Sequence, residues 1–137
     1  MHAELDVGSR RPVAAAAVAA AIGLGVVLGC ASASGARRPA VGRIQDGEAS
    51  YYGRKFVGRR TASGERYDPK LMTAAHKTLP FGTRIRVTRP GGPSVVLKVN
   101  DRCGCPHGRI VDVSEAAAEK LNMLKAGVVR VRLEVLR

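Results

Sequence analysis

Tryptophan is absent from this sequence, and aromatic residues make up only 4% of it. Acidic side chains are also scarce, with 11 Asp and Glu against 23 Lys and Arg, a formal net charge of +12. Such an excess implies an anionic neighbourhood. Nucleic-acid binders usually cluster their basic charge and interleave it with aromatics. Here the basic residues are dispersed, so no nucleic-acid partner is expected and an anionic envelope polymer or lipid fits better. There is no internal repeat, and no low-complexity stretch outside the N-terminal region. Cysteine occurs only at positions 30, 103 and 105.

The one long apolar run, Pro12 to Leu28, follows the basic pair Arg10-Arg11 and ends at Gly29-Cys30. A basic start, an apolar middle and small residues before a cut site describe a secretory signal. Residues 1–29 are therefore expected to be a signal peptide. A retained membrane anchor is the alternative, because 17 apolar residues lie at the lower edge of a bilayer span. Val27-Leu28-Gly29-Cys30 resembles a bacterial lipoprotein processing box, which implies acylation, with palmitate, at Cys30 and attachment to a membrane through the acyl chains. Leu28 departs from the small residue usual at its place. Residues 30–46 show neither a strand nor a helix period and are expected to be a flexible tether.

The remainder, 47–137, is long enough for one modest core. Ala49 to Tyr52 is a short strand candidate. Residues 83–88 place Ile85 and Val87 on one face and Arg84 and Arg86 on the other, a half-buried strand. Arg89-Pro90-Gly91-Gly92-Pro93 is a turn, which joins that strand in a hairpin to Ser94–Val99. Ile110–Val113 and the alternating Val128–Leu136 add two more strands. Ser114 is placed to cap a helix, with Glu115 in its first turn and Ala117, Leu121 and Leu124 on its apolar face. Several strands with one or two short helices favour a small closed barrel, because closure removes exposed edges.

Three side chains that carry chemistry stand beside turns or strand ends: Glu65 after Thr61-Ala62-Ser63-Gly64, His76 before Lys77, and Asp101 in Val99-Asn100-Asp101-Arg102. An acid, a base and an orienting group are the minimum set for cleaving a glycosidic bond. Tyr52 can stack on a sugar ring, and Lys77, Arg102 and Arg109 can meet anions; a core tyrosine and a solvated basic face are the plain alternatives. Asp112 reads as a structural carboxylate tying a strand to the start of the helix. Cys103, Cys105 and His107 alternate along the chain. A disulfide, free thiols and a zinc site all remain open for them.

Five blocks occur in order: Gly47-Glu48-Ala49-Ser50-Tyr51-Tyr52-Gly53, Thr61 to Glu65, Leu71 to Thr83, Val99 to Arg102, and Gly108 to Ser114. Together they resemble the rare lipoprotein A family, the septal-ring lytic transglycosylases. The resemblance implies a mainly β fold, a small six-stranded double-psi β-barrel with one or two short helices. It also implies a lipoprotein of the bacterial envelope, outer-membrane-anchored and facing the periplasm. Such a protein would cut peptidoglycan glycan strands without water, leaving 1,6-anhydro ends. On this reading Asp101 is the catalytic acid and base, with His76 and Glu65 in support. Tyr52, Lys77 and Arg102 contact substrate, and no cofactor or metal is needed. A monomer is expected, with cell-division proteins as partners. The segment after Arg102, Cys103-Gly104-Cys105-Pro106-His107, departs from the family's usual turn and is closer to the cysteine-containing turn of barwin- and expansin-like barrels. A Cys103–Cys105 disulfide and a non-catalytic, expansin-like glycan binder are the corresponding alternatives.

Overall fold

The computed structural model describes residues 38–137. The expected signal segment, Cys30 and most of the expected tether lie outside the described residues. Six strands close into a barrel: β1 (Ile44–Tyr51), β2 (Thr73–His76), β3 (Arg84–Thr88), β4 (Ser94–Asp101), β5 (Arg109–Val113) and β6 (Val129–Val135). Their order around the barrel is β1-β5-β2-β4-β3-β6. Two pairs, β1/β5 and β2/β4, run parallel, and the other four contacts are antiparallel. A single α-helix, α1 (Glu115–Lys120), and a 3-10 turn at Arg54–Phe56 complete the described elements. Among the described residues no helix is long and apolar enough to cross a membrane.

The alternating segments fold as their pattern dictates. Ile85 and Val87 of β3 and Val129, Val131, Leu133 and Val135 of β6 all enter the core, while Arg84, Arg86, Arg130 and Arg132 stay outside. Outside, Arg86 reaches Glu134 and Arg132 reaches Asp46 across neighbouring strands, each at 2.9 Å. The β3–β4 hairpin turns where expected, with Gly92 N–H on the Arg89 carbonyl at 2.9 Å and Gly91 at φ +69°. Ser114 caps α1, its hydroxyl accepting from Ala117 N–H, and Ala117 and Leu121 are buried.

Three expectations change. β1 begins at Ile44, so the last residues of the expected tether are strand, and Gly42 and Arg43 already exchange hydrogen bonds with Val135. The extension had no period to show because its inward positions carry Gln45 and Gly47 while Ile44 faces out, and at Gly47 a Cβ would lie 2.6 Å from Ile110 Cγ2. β2 escaped the sequence pattern because all four of its residues are buried, so nothing alternates. Leu124 is not on the helix face. α1 ends at Lys120, Asn122 takes φ +53°, and Leu124 is left 40% exposed while Met123 fills the core.

Candidate functional site

The C-terminal ends of β1 and β4, together with β5, face a groove of about 540 Å³ at one end of the barrel. Tyr52, Phe56, Arg59, Asp101, Cys103 and Asp112 are among its lining residues. Asp101 is the last residue of β4, which aims its carboxylate out of the sheet. Its Oδ1 accepts from the backbone N–H groups of Ala62 and Arg102, both at 2.8 Å. Its Oδ2 accepts from the Tyr52 hydroxyl at 2.7 Å. One oxygen is therefore fixed by main chain, and the other is presented to the groove beside a phenol.

Tyr52 is itself held by aromatic packing. Its ring lies 4.6 Å from that of Tyr67 and meets Phe56 edge-on at 5.7 Å. Burial first, and the bond to Asp101 second, push the Tyr52 hydroxyl well above its ordinary pKa, so it stays protonated. A phenol both donates and accepts, so the contact survives with the proton on either partner.

Asp112 is the second carboxylate in the groove, and the sequence reading left it out of the site. It ties β5 to β1 rather than to the helix: Ser50 Oγ donates to its Oδ1 at 2.6 Å. Arg109 Nε lies 3.1 Å from the same oxygen, an ion pair whose buried N–H points off the hydrogen-bond line. No local spacing signals this, because the parallel β1/β5 register alone sets Ser50 opposite Asp112.

The two supporting residues named from the sequence lie elsewhere. His76, 2% exposed, has Nδ1 accepting from the N–H groups of Thr78 and Leu79 and Nε2 facing Gln45 Oε1 at 3.2 Å. That pattern places its proton on Nε2. Burial, then the charges of Arg102, Arg43 and Lys77, lowers its pKa to about 4, so the ring is neutral. It organises the turn after β2 and does not line the groove. Glu65 stands outside the groove too, its side chain 47% exposed. Asn100 Nδ2 donates to it at 3.0 Å and Lys98 Nζ at 2.9 Å, and these bonds, Asn100 first, hold its pKa below the usual carboxylate range. Glu65 thereby anchors the 61–65 turn whose Ala62 N–H holds Asp101.

Lys77 is exposed and does not line the groove. Arg102 reaches the groove's edge, but its Nη1 donates to the carbonyls of His76 and Leu79, and its guanidinium stacks on Phe81 at 4.1 Å. Cys103 and Cys105 are bonded to each other; Cys103 borders the groove next to Asp101, and Cys105 is buried behind it. A second hollow, of about 560 Å³, is lined by Phe81, Pro80, Leu136 and several arginines. It holds no carboxyl or imidazole side chain, whereas the Asp101 groove holds two carboxylates, Asp101 and Asp112.

Comparison with known proteins agrees with this architecture. The probable endolytic peptidoglycan transglycosylase RlpA of Nostoc sp. is 55% identical over 93 residues, 66% of this chain and 25% of that protein. The endolytic peptidoglycan transglycosylase RlpA of Neisseria meningitidis is 53% identical over 92 residues, 66% of this chain and 38% of that protein. The chain thus spans well under half the length of these curated relatives. Among solved structures, the Streptomyces papain inhibitor superposes with a TM-score of 0.59 at 24% identity, over 71% of this chain and 97% of that one. An expansin of Clavibacter michiganensis in complex with cellohexaose gives 0.56 at 23% identity, over 69% of this chain and 51% of that one. Both share the fold, a double-psi β-barrel. The family described as "Lytic transglycolase" matches residues 44–133, which is the whole barrel from β1 to the middle of β6, and the chain belongs to that family.

Proposed function

We propose that this barrel cleaves the glycan strands of peptidoglycan non-hydrolytically, with Asp101 as the acid and then the base. The observation that carries this reading is the Asp101 carboxylate, with Oδ1 clamped by two main-chain amides and Oδ2 shared with Tyr52 in an open groove. In the first step Asp101, carrying a proton on Oδ2, donates it to the glycosidic oxygen as that bond breaks. In the second, the same oxygen takes the proton of the sugar's own 6-hydroxyl, whose oxygen closes on C1 to give a 1,6-anhydro end. No water is consumed. The Tyr52 hydroxyl suits both steps, since by donating to Oδ2 it leaves that oxygen's own proton aimed at the sugar and then steadies the carboxylate until the 6-hydroxyl proton returns to it. Asp112 lies in the same groove, where a carboxylate stabilises positive charge developing on the sugar. Glu65 and His76 act at one remove, by fixing the 61–65 turn and the turn after β2. Tyr52 offers its ring to the sugar and Arg102 offers charge at the groove's edge, while Lys77, exposed outside the groove, offers charge to substrate anions beyond it.

The surroundings follow from the same reading: a lipoprotein acylated at Cys30 after loss of residues 1–29, held at the outer membrane and facing the periplasm, with division proteins as partners. Palmitate label entering the wild type but not Cys30→Ala tests the anchor.

A second reading, an expansin-like binder that does not cut, is favoured by one observation: every partner of Asp101 donates to it, so the carboxylate is arranged as an acceptor. Mass spectrometry of glycan strands incubated with the full-length protein separates the two. Anhydro ends formed by the wild type and absent with Asp101→Asn support cleavage. Binding to the strands with no such ends from either protein establishes the binder.

A further inference from the structure

Alternation along the chain singled out Cys103, Cys105 and His107, but the fold gathers a different trio. His107 sits on an exposed turn, whereas ligand atoms of Cys103, Cys105 and Asp112 all lie within 4.8 Å of one another. The three come from two directions. The cysteines are supplied by the loop after β4 and the aspartate by β5, whose register against β1 fixes it. Only one oxygen of Asp112 is engaged by Ser50 and Arg109; among the described residues its Oδ2 receives no hydrogen bond. The disulfide therefore lies beside a carboxylate with a free oxygen, at the edge of an open groove.

We propose that this cluster is a thiol-gated metal site: reduced Cys103 and Cys105, with Asp112, bind a divalent ion of the zinc type, and the disulfide is its closed form. The reductant is a dithiol. One of its thiolates attacks Sγ of Cys103, the half-buried sulfur that borders the groove, and Cys105, fully buried, leaves as the thiolate. The second thiol of the reductant then displaces Cys103 from the mixed disulfide. Two electrons pass to the protein, the reductant becomes its own disulfide, and the two cysteines hold the two protons. Binding the ion releases both protons to solvent, and Asp112 supplies the third ligand. With metal–ligand bonds of about 2.0–2.3 Å, the two sulfurs must part from their bonded separation to roughly 3.8 Å while the Asp112 oxygen closes in, and Gly104 between the cysteines leaves their backbone free to adjust. Two thiolates and a carboxylate leave a fourth tetrahedral position open, for water or for a group in the groove.

The test uses the full-length chain carrying Cys30→Ser, so that only this pair supplies thiols. The protein is reduced with a phosphine, freed of reductant without oxygen, and titrated with Co²⁺ and then Zn²⁺. Reduced protein is expected to take up one Co²⁺ with thiolate-to-cobalt charge-transfer absorption, which Zn²⁺ abolishes, while oxidised protein shows none. Asp112→Asn is expected to weaken Zn²⁺ binding by at least about tenfold, and His107→Ala to leave it unchanged. The proposal is overturned if the reduced protein binds no metal, if the oxidised protein binds equally, or if His107→Ala rather than Asp112→Asn removes the site. Circular dichroism of each reduced protein accompanies the titration. If reduction itself unfolds the barrel, the disulfide is a structural bond and the proposal falls.

Discussion

His76 offers a sharp quantitative test of the packing around the site, because its burial has a thermodynamic signature in acid. The folded ring has a pKa of about 4, against 6.5 for an unperturbed imidazole. The native state therefore binds fewer protons than the unfolded chain at any pH between those values. Stability is complete above 6.5 and is lost as the pH falls toward 4. At about 1.36 kcal/mol per unit, moving from about pH 7 to about pH 4.5 costs roughly 2 kcal/mol from this residue alone. Asp46 and Glu65 have lowered pKa values, and their contributions are lost only further into acid. Urea unfolding of the wild type across that range is expected to show the full slope. His76→Asn keeps an oxygen able to accept from the Thr78 and Leu79 amides but has nothing to titrate, so its slope is expected to be flat. Parallel slopes for the two proteins, or a ring that titrates at its ordinary value by NMR, would refute the burial argument.

Other perturbations bear on the groove and the core. Tyr52→Phe keeps the stack on Tyr67 and Phe56 but removes the donor to Asp101. A bond to a carboxyl group is worth up to about 1.5–3 kcal/mol, so formation of anhydro ends is expected to slow by roughly tenfold or more and the melting temperature to fall by several degrees. Gly47→Ala drives a Cβ to 2.6 Å from Ile110 Cγ2 and 3.0 Å from the Gly108 carbonyl. It is expected to cost about 1–3 kcal/mol in chemical denaturation, part of which Ile110→Ala restores. Leu133→Ala empties a fully buried position in β6 and is expected to cost about 2–5 kcal/mol by the same measurement.

What could be read from the chain depended on whether a residue's surroundings are local. β3 and β6 showed themselves because each has one wet face, so their burial alternates with the sequence. The Ser114 cap was legible because its partner, Ala117, is three residues away. β2 was not legible, being dry on both faces, and the start of β1 was hidden because its inward positions carry Gln45 and Gly47. The site divides along the same line. The position of Asp101 at a strand end follows from the apolar run before it. Its partner Tyr52 is 49 residues distant, on a loop after a strand not paired with β4, and the link between Ser50 and Asp112 spans 62, so barrel closure in the first case and β1/β5 register in the second bring them together. The same long-range packing withdraws His76 from the groove: two amides and a glutamine already satisfy it.

The placement of β1 between β5 and β6 bears on how the chain is made. Among the described strands, the first in sequence has as neighbours the last two, β5 and β6, and β3 also waits for β6 to cover its free edge. A growing polypeptide cannot seal the cylinder before residue 135 has emerged, so ordering comes as one late event, slow for its size. Until then the edges of β1 and β3 that β6 will cover stay unpaired and adhesive.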